Sequence, residues 1–143
     1  MSVGQILGGK QRGVVTLDPG VSVEEAARVM SEKRIGAIVL LGEGGRVDGI
    51  ISERDIVRTL AKVGISCLTQ AVKDVMTLRV TTCTMKTTVD EAMQIMTNGR
   101  FRHLPVCDGD ELIGIISIGD VVKQKIEDAE REAREMRDYI AAG

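Results

Sequence analysis

Ser52 and Asp55 stand three residues apart in "GIISERDIV" (49–57), and Ser117 and Asp120 repeat that spacing in "GIISIGDVV" (114–122), the two stretches matching at six of nine positions. A serine three residues ahead of a carboxylate at a helix start has two uses. In a capping box, each side chain accepts a hydrogen bond from the other residue's backbone N–H. Alternatively, a first-turn carboxylate facing a cleft accepts hydrogen bonds from both hydroxyls of a ribose, while the serine and unsatisfied helix N–H groups meet a phosphate. Both readings stand on spacing alone, and one residue can serve both. Cations lie close by, but differently in each copy. Glu53 and Arg54 separate the first serine and aspartate, and Ile118 and Gly119 separate the second pair. Conversely, Arg102 and His103 begin a strand where the first copy has Gly36 and Ala37. Positive charge has moved from loop to strand, so the two copies are not equivalent in where they would meet a phosphate. Arg34 and Arg100 also match between the copies, each near a helix end, where a cation suits the helix dipole and could meet a phosphate.

Other chemistry is poorly represented. The chain has one histidine, His103, and three cysteines, Cys67, Cys83 and Cys107, odd in number and far apart. This usage fits reduced thiols rather than a disulfide framework or a zinc site, so no metal is expected. Neither a phosphate-binding G-x-x-x-x-G-K-[ST] loop nor a G-x-G-x-x-G turn is present, and no nucleophile and base surround the lone histidine, so an enzyme is not expected. With 43% apolar and 28% charged residues and a formal net charge of −2, the composition gives no reason to expect a nucleic-acid partner. No apolar run reaches the roughly 18–20 residues that cross a bilayer, and "MSVGQILGGKQRG" lacks the apolar core of a secretory signal, so a cytoplasmic protein without a membrane partner is expected. Phe101 and Tyr139 are the only aromatic residues, so a base would be held mainly between aliphatic side chains.

The elements that must position these groups come in two copies. Sliding the chain by 66 positions pairs "VVTLDPGVSVEEAARVMSEKR" (14–34) with "VTTCTMKTTVDEAMQIMTNGR" (80–100). Each copy starts with a β-branched run, "VVTL" or "RVTTC". A helix follows, opened by a Ser22/Glu25 or Thr88/Glu91 capping box. Its apolar stripe falls at Val23, Ala26, Ala27 and Met30, and again at Val89, Ala92, Met93 and Met96, the spacing of one helical face. Two apolar strands joined by a Gly-rich turn come next, "AIVLL" then "VDGIIS", or "LPVC" then "LIGIIS", and a second helix begins near Asp55 or Asp120. The order is β-α-β-β-α, twice, an α+β architecture. Neither copy covers its own apolar face, so the two are expected to pack about an approximate two-fold axis. At 143 residues such a chain buries roughly 70% of its unfolded surface. The expected divisions are 1–61, the first repeat with an N-terminal segment; 62–78, a linker whose "AVKDVM" forms a short helix; 79–126, the second repeat; and 127–143, a helical extension. Pro105 cannot donate to a ladder, so its strand lies at an edge or loses one bond.

This repeat order, the G-h-h-S-x-x-D motif (h, apolar) at the end of the third strand, and "HLPV" in the second copy resemble a tandem pair of cystathionine-β-synthase-type (CBS) domains over residues 3–126. The resemblance implies a regulatory module that binds an adenosyl ligand between the repeats. AMP is the first expectation; ADP, ATP, NAD, NADH and S-adenosylmethionine are others, with different ligands in the two clefts. It further implies nucleotide contacts at Arg34, Ala37, Ile38, Ser52, Glu53, Arg54 and Asp55. In the second copy these fall at Arg102, His103, Leu104, Pro105, Ser117, Ile118, Gly119 and Asp120. Thr16, Asp18 and Val21, with Thr82, Thr84 and Thr87, lie where the resemblance places the adenine-side wall. "AIVLL" departs from the Leu-Pro-Val pattern, which weakens the correspondence at Ala37 and Ile38.

After Asp120 the chain runs "VVKQKIEDAEREAREMRDYIAAG" with no helix breaker before Gly143. Val122, Ile126, Ala129, Ala133, Met136 and Ile140 repeat at intervals of 4, 3, 4, 3 and 4, a heptad-like seam. Such a helix lies on its own module, joins two copies into a homodimer, or meets an effector protein in trans. A ligand-free scaffold built on this helix is the alternative to a nucleotide sensor.

Overall fold

The computed structural model describes residues 1–9 and 14–143. Among the described residues the fold is mixed α+β, with two small sheets and five α-helices, the last of them a long C-terminal helix. In chain order the elements are α1 (Val3–Gly9), β1 (Thr16–Leu17), α2 (Val23–Lys33), β2 (Ala37–Leu41), β3 (Val47–Ser52), α3 (Glu53–Val63), α4 (Val89–Gly99), β4 (His103–Asp108), β5 (Glu111–Ser117) and α5 (Ile118–Ala142). One sheet has the order β1-β2-β3 and the other is the β4-β5 hairpin. None of the helices is long and apolar enough to cross a membrane, among the described residues.

The apolar stripes do what their spacing predicts. Val23, Ala26 and Met30 of α2 are buried, as are Val89, Ala92 and Met96 of α4. Each helix is capped by its Ser22 or Thr88 hydroxyl, which accepts from the N–H of Glu25 or Glu91. In neither helix does the glutamate complete the box; the Glu25 carboxylate turns instead to Arg28.

The second repeat lacks the strand expected at "RVTTC": only Cys83 bridges Val106 in parallel. In the first repeat, Thr16 pairs with Val39 and Leu17 with Leu40. Shifted by one repeat, the residue opposite Thr82 is Pro105. The Cys83 N–H still donates to the Pro105 carbonyl at 3.0 Å, but proline has no N–H to give back, so the ladder stops at one residue.

Two cores form, one per repeat, and each borrows from outside its own repeat. Val72 of the linker is fully buried in the first core, with Val75 and Met76 packed beside it. Val3 and Ile6 of α1 are buried in the second core, although α1 adjoins the first repeat in sequence. The backbone repeats the arrangement. Val72 N–H donates to Val21 and Val23 N–H to Gln70; Val3 N–H donates to Thr87 and Val89 N–H to Met1. "AVKDVM" itself forms only a single 3-10 turn, Val72–Asp74. All three cysteines are buried and unbridged, and burial pushes the Cys83 thiol up to about 11.

Candidate functional site

Both Ser-x-x-Asp motifs sit where a core strand becomes a helix. β3 ends at Ser52 and β5 at Ser117, and each serine is the N-cap of the helix that follows. The capping boxes are complete. Asp55 Oδ2 accepts from the Ser52 N–H at 2.9 Å and from its hydroxyl at 3.1 Å, while Ser52 Oγ accepts from the Asp55 N–H at 3.3 Å. Asp120 Oδ2 accepts from the Ser117 N–H at 2.9 Å, and Ser117 Oγ from the Asp120 N–H at 3.1 Å. The boxes hold both carboxylates, each half-buried, in a fixed orientation beside a cleft.

Each cleft is built from the helix start of one repeat and the strand start of the other. The first, of about 320 Å³, is lined by Ile50, Ser52, Glu53 and Asp55 on one side and by Val80, Thr81, Phe101 and His103 on the other. Five arginines reach it: Arg54, Arg58, Arg79, Arg100 and Arg102, against the carboxylates of Glu53 and Asp55. The second, of about 800 Å³, sets Ile113, Ile115, Ser117 and Asp120 against Val14, Val15, Arg34 and Ala37. Its walls are more aliphatic, and Lys33 and Arg34 are balanced by Glu32 and Asp120. Arg54 and Arg102, which alignment assigns to opposite repeats, therefore meet in one place. The Arg54 guanidinium donates to the Arg100 carbonyl at 3.3 Å, tying the repeats together across the first cleft.

Gly36 and His103 line both clefts and form the partition between them. A Cβ at residue 36 would lie 3.1 Å from the histidine ring, so the glycine gives the imidazole its place. Arg34 and Arg100 are the C-caps of α2 and α4 and adopt the left-handed conformation, φ 56° and 58°.

Several positions expected to contact ligand line neither cleft. Ile38 and Leu104 are fully buried in the cores. Thr16 is taken up in β1, and Val21 packs against the first core. Asp18 turns its carboxylate to the Gly20 N–H at 2.7 Å. The Thr87 hydroxyl accepts from the Thr84 N–H, and the Thr84 hydroxyl from the Lys86 N–H, closing a local turn. Thr82, next to the Cys83 bridge, is not part of either lining. The wall residues are instead Val14, Val15, Val80 and Thr81, one or two positions earlier in the chain, because parallel pairing of Thr16 with Val39 runs the preceding residues alongside the start of β2. Ile118 faces a shallower recess shared with Arg54, Arg100 and Arg102, and Gly119 lines none of the three. Pro105, by contrast, does line the first cleft. Sequence reasoning missed Phe101, Arg58 and Arg79; the position of Phe101 between two arginines was its one available signal.

Two similar units, each completed by a segment preceding the other and enclosing paired clefts between them, define a tandem-repeat module. The chain belongs to the CBS domain family: the family's sequence description, CBS domain, matches residues 3–62 and again 72–127. It is 37% identical over 126 residues to the mitochondrial CBS domain-containing protein CBSX3 of Arabidopsis thaliana, covering 85% of this chain and 61% of that relative's length. The crystal structure of a CBS-domain containing protein from Agrobacterium tumefaciens is 47% identical and superposes with a TM-score of 0.84 over 87% of this chain and 92% of that one. A CBS domain protein from Pyrobaculum aerophilum, solved in complex with AMP, is 25% identical with a TM-score of 0.75, covering 84% and 89% of the two chains.

Proposed function

We propose that this protein is a regulatory module in which the first cleft binds a phosphorylated adenosyl nucleotide, AMP, ADP or ATP, and passes its occupancy to an effector protein in trans. The observation that carries this reading is the gathering of five arginines around the capped carboxylate of Asp55. The carboxylate accepts the ribose hydroxyls, Phe101 and the aliphatic wall hold the base, and the guanidinium groups meet the phosphates with charge-assisted bonds of roughly 1.5–3 kcal/mol each. The AMP complex of the P. aerophilum relative supports the ligand class. A nucleotide spanning both repeats shifts their relative orientation only as far as its affinity differs between the two arrangements. The second cleft, with balanced charge, takes an adenosyl ligand of lower negative charge, or one such as NAD whose charge lies away from its walls. Self-association into a homodimer accompanies this reading. It is supported by Val57 and Val122, equivalent in the two repeats and both exposed, 65% and 42%.

The test is a thermal-shift and calorimetry series on protein stripped of carried-over metabolites, with AMP, ADP, ATP, NAD, NADH and S-adenosylmethionine. Ligand at 100 times its Kd stabilises by about 2.7 kcal/mol, several degrees in Tm for a chain of this size. Asp55→Ala is expected to lower apo stability by about 1 kcal/mol, the cost of a cap, and to abolish the response to AMP. Arg58→Ala, outside the capping box, should leave apo stability unchanged and weaken ATP more than AMP. If the wild type ignores every one of these compounds at millimolar concentration, the sensor reading fails and the scaffold reading takes its place.

A further inference from the structure

α5 outruns the body in which it starts. Val121 in its first turn is fully buried, yet every residue from Ala129 to Ala142 is exposed. Isolated helices shorter than roughly 12–15 residues are marginal in water, and intrahelical ion pairs such as Arg131–Asp128 contribute too little to change that. One side of this helix is apolar in heptad register, and its larger members are unburied: Ile126 is 54% exposed, Met136 60% and Ile140 69%.

We propose that this face pairs with the same face of a second copy of the chain as a parallel, two-stranded coiled coil. The flanking charges select both the occupant and the direction. Ile126, Ala133 and Ile140 take the a positions, where β-branched side chains favour two strands, and Val122, Ala129 and Met136 take d. The e positions are then Lys123, Glu130 and Arg137, and the g positions Lys125, Glu132 and Tyr139. In a parallel pair each g residue faces the following e residue of the other helix, so Lys125 meets Glu130 and Glu132 meets Arg137. Every charged pair is of opposite sign. In an antiparallel pair aligned end to end, Glu130 faces Glu130, Glu132 faces Glu132 and Lys123 faces Arg137, all of like sign. Within one chain Lys125 is held by Asp90, so the Glu132–Arg137 pairs carry most of the selection. Ala129 and Ala133 let the helices approach closely but bury little area, which makes the association concentration-dependent. The pairing rests on α5 alone and stands whether or not the clefts take nucleotide.

Sedimentation equilibrium of the full chain, combined with mild oxidation of the Met136→Cys variant, tests this. The native cysteines are buried and do not compete. The expected result is a dimer that the new cysteine traps covalently, because a d position faces itself in a parallel pair. In the antiparallel register the two cysteines would stand about 15 Å apart and could not join. Arg137→Glu should weaken association several-fold, and adding Glu132→Arg should restore it. A chain that stays monomeric at high micromolar concentration overturns the proposal. So does a dimer in which Met136→Cys fails to cross-link.

Discussion

Arg34 and Arg100 are the non-glycine residues with positive φ among the described residues, they are equivalent between the repeats, and each lines a cleft. A left-handed backbone costs an L-residue about 1–2 kcal/mol, and helix C-caps of this kind normally use glycine. Strain kept twice, at the two places that face the clefts, is best explained by a guanidinium needed there. Arg100→Gly should therefore raise apo stability by roughly 0.5–1 kcal/mol, once the larger entropy loss of glycine offsets part of the relief. It should also weaken AMP binding, as read from urea melts and calorimetry. The Arg54 bond to the backbone carbonyl of residue 100 survives the change, so an unaltered AMP affinity would mean that Arg100 serves packing alone. At this scale the sequence was informative about the serines and aspartates, because one local geometry both caps the helix and aims the carboxylate. It named Arg54, Arg100 and Arg102 one by one but not as a cluster, and it missed Arg58 and Arg79, because only the packing of the repeats brings these stretches together.

At the scale of elements, the repeated glycine of "GIIS" finds its cause in the segment that precedes the other repeat. A Cβ on Gly49 would lie 2.6 Å from Met76 Sδ and 2.9 Å from the Thr77 carbonyl, and one on Gly114 would lie 2.8 Å from the tips of Leu7. The linker crosses the first motif as α1 crosses the second. Gly49→Ala presses on backbone held by the paired Ile50 and Thr77 amides, so a loss within the 1–3 kcal/mol range of overpacking is expected. Gly114→Ala meets only the flexible end of a leucine and should cost less, with Leu7→Ala recovering part of the loss. Equal losses in denaturant melts of the two variants would count against this account. The doubled order of elements was legible from periodicity and capping. α1 was not, since Gly4, Gly8 and Gly9 argue against a helix that only packing in the second core sustains. The missing strand at Cys83 was half legible, because Pro105 announced a lost bond without saying which neighbour would lose it.

Over the whole molecule, pseudo-symmetry fixes where the clefts are, and the departures from symmetry decide what each can hold. Residue for residue, Gly119 stands in place of Arg54 and Gly36 in place of Arg102; both arginines line the first cleft and neither lines the second. Arg54 and Arg102 are exposed, which leaves their attraction for phosphate open to screening by salt; the Debye length shrinks from about 30 Å at 0.01 M to about 3 Å at 1 M. The aliphatic walls of the second cleft bind by burial, which salt does not weaken in this way. Calorimetric titration at low and high salt, with ATP for the first cleft and NAD for the second, should therefore resolve two classes of site. One loses affinity steeply as salt rises and disappears in Arg54→Ala/Arg102→Ala. The other changes little with salt and responds instead to Asp120→Ala. Titration with adenosine, which carries no phosphate, should show no steep class at all. Two identical sites with one shared salt dependence would mean that the arginines around Asp55 do not read phosphate, and the asymmetry between the clefts would lose its functional meaning.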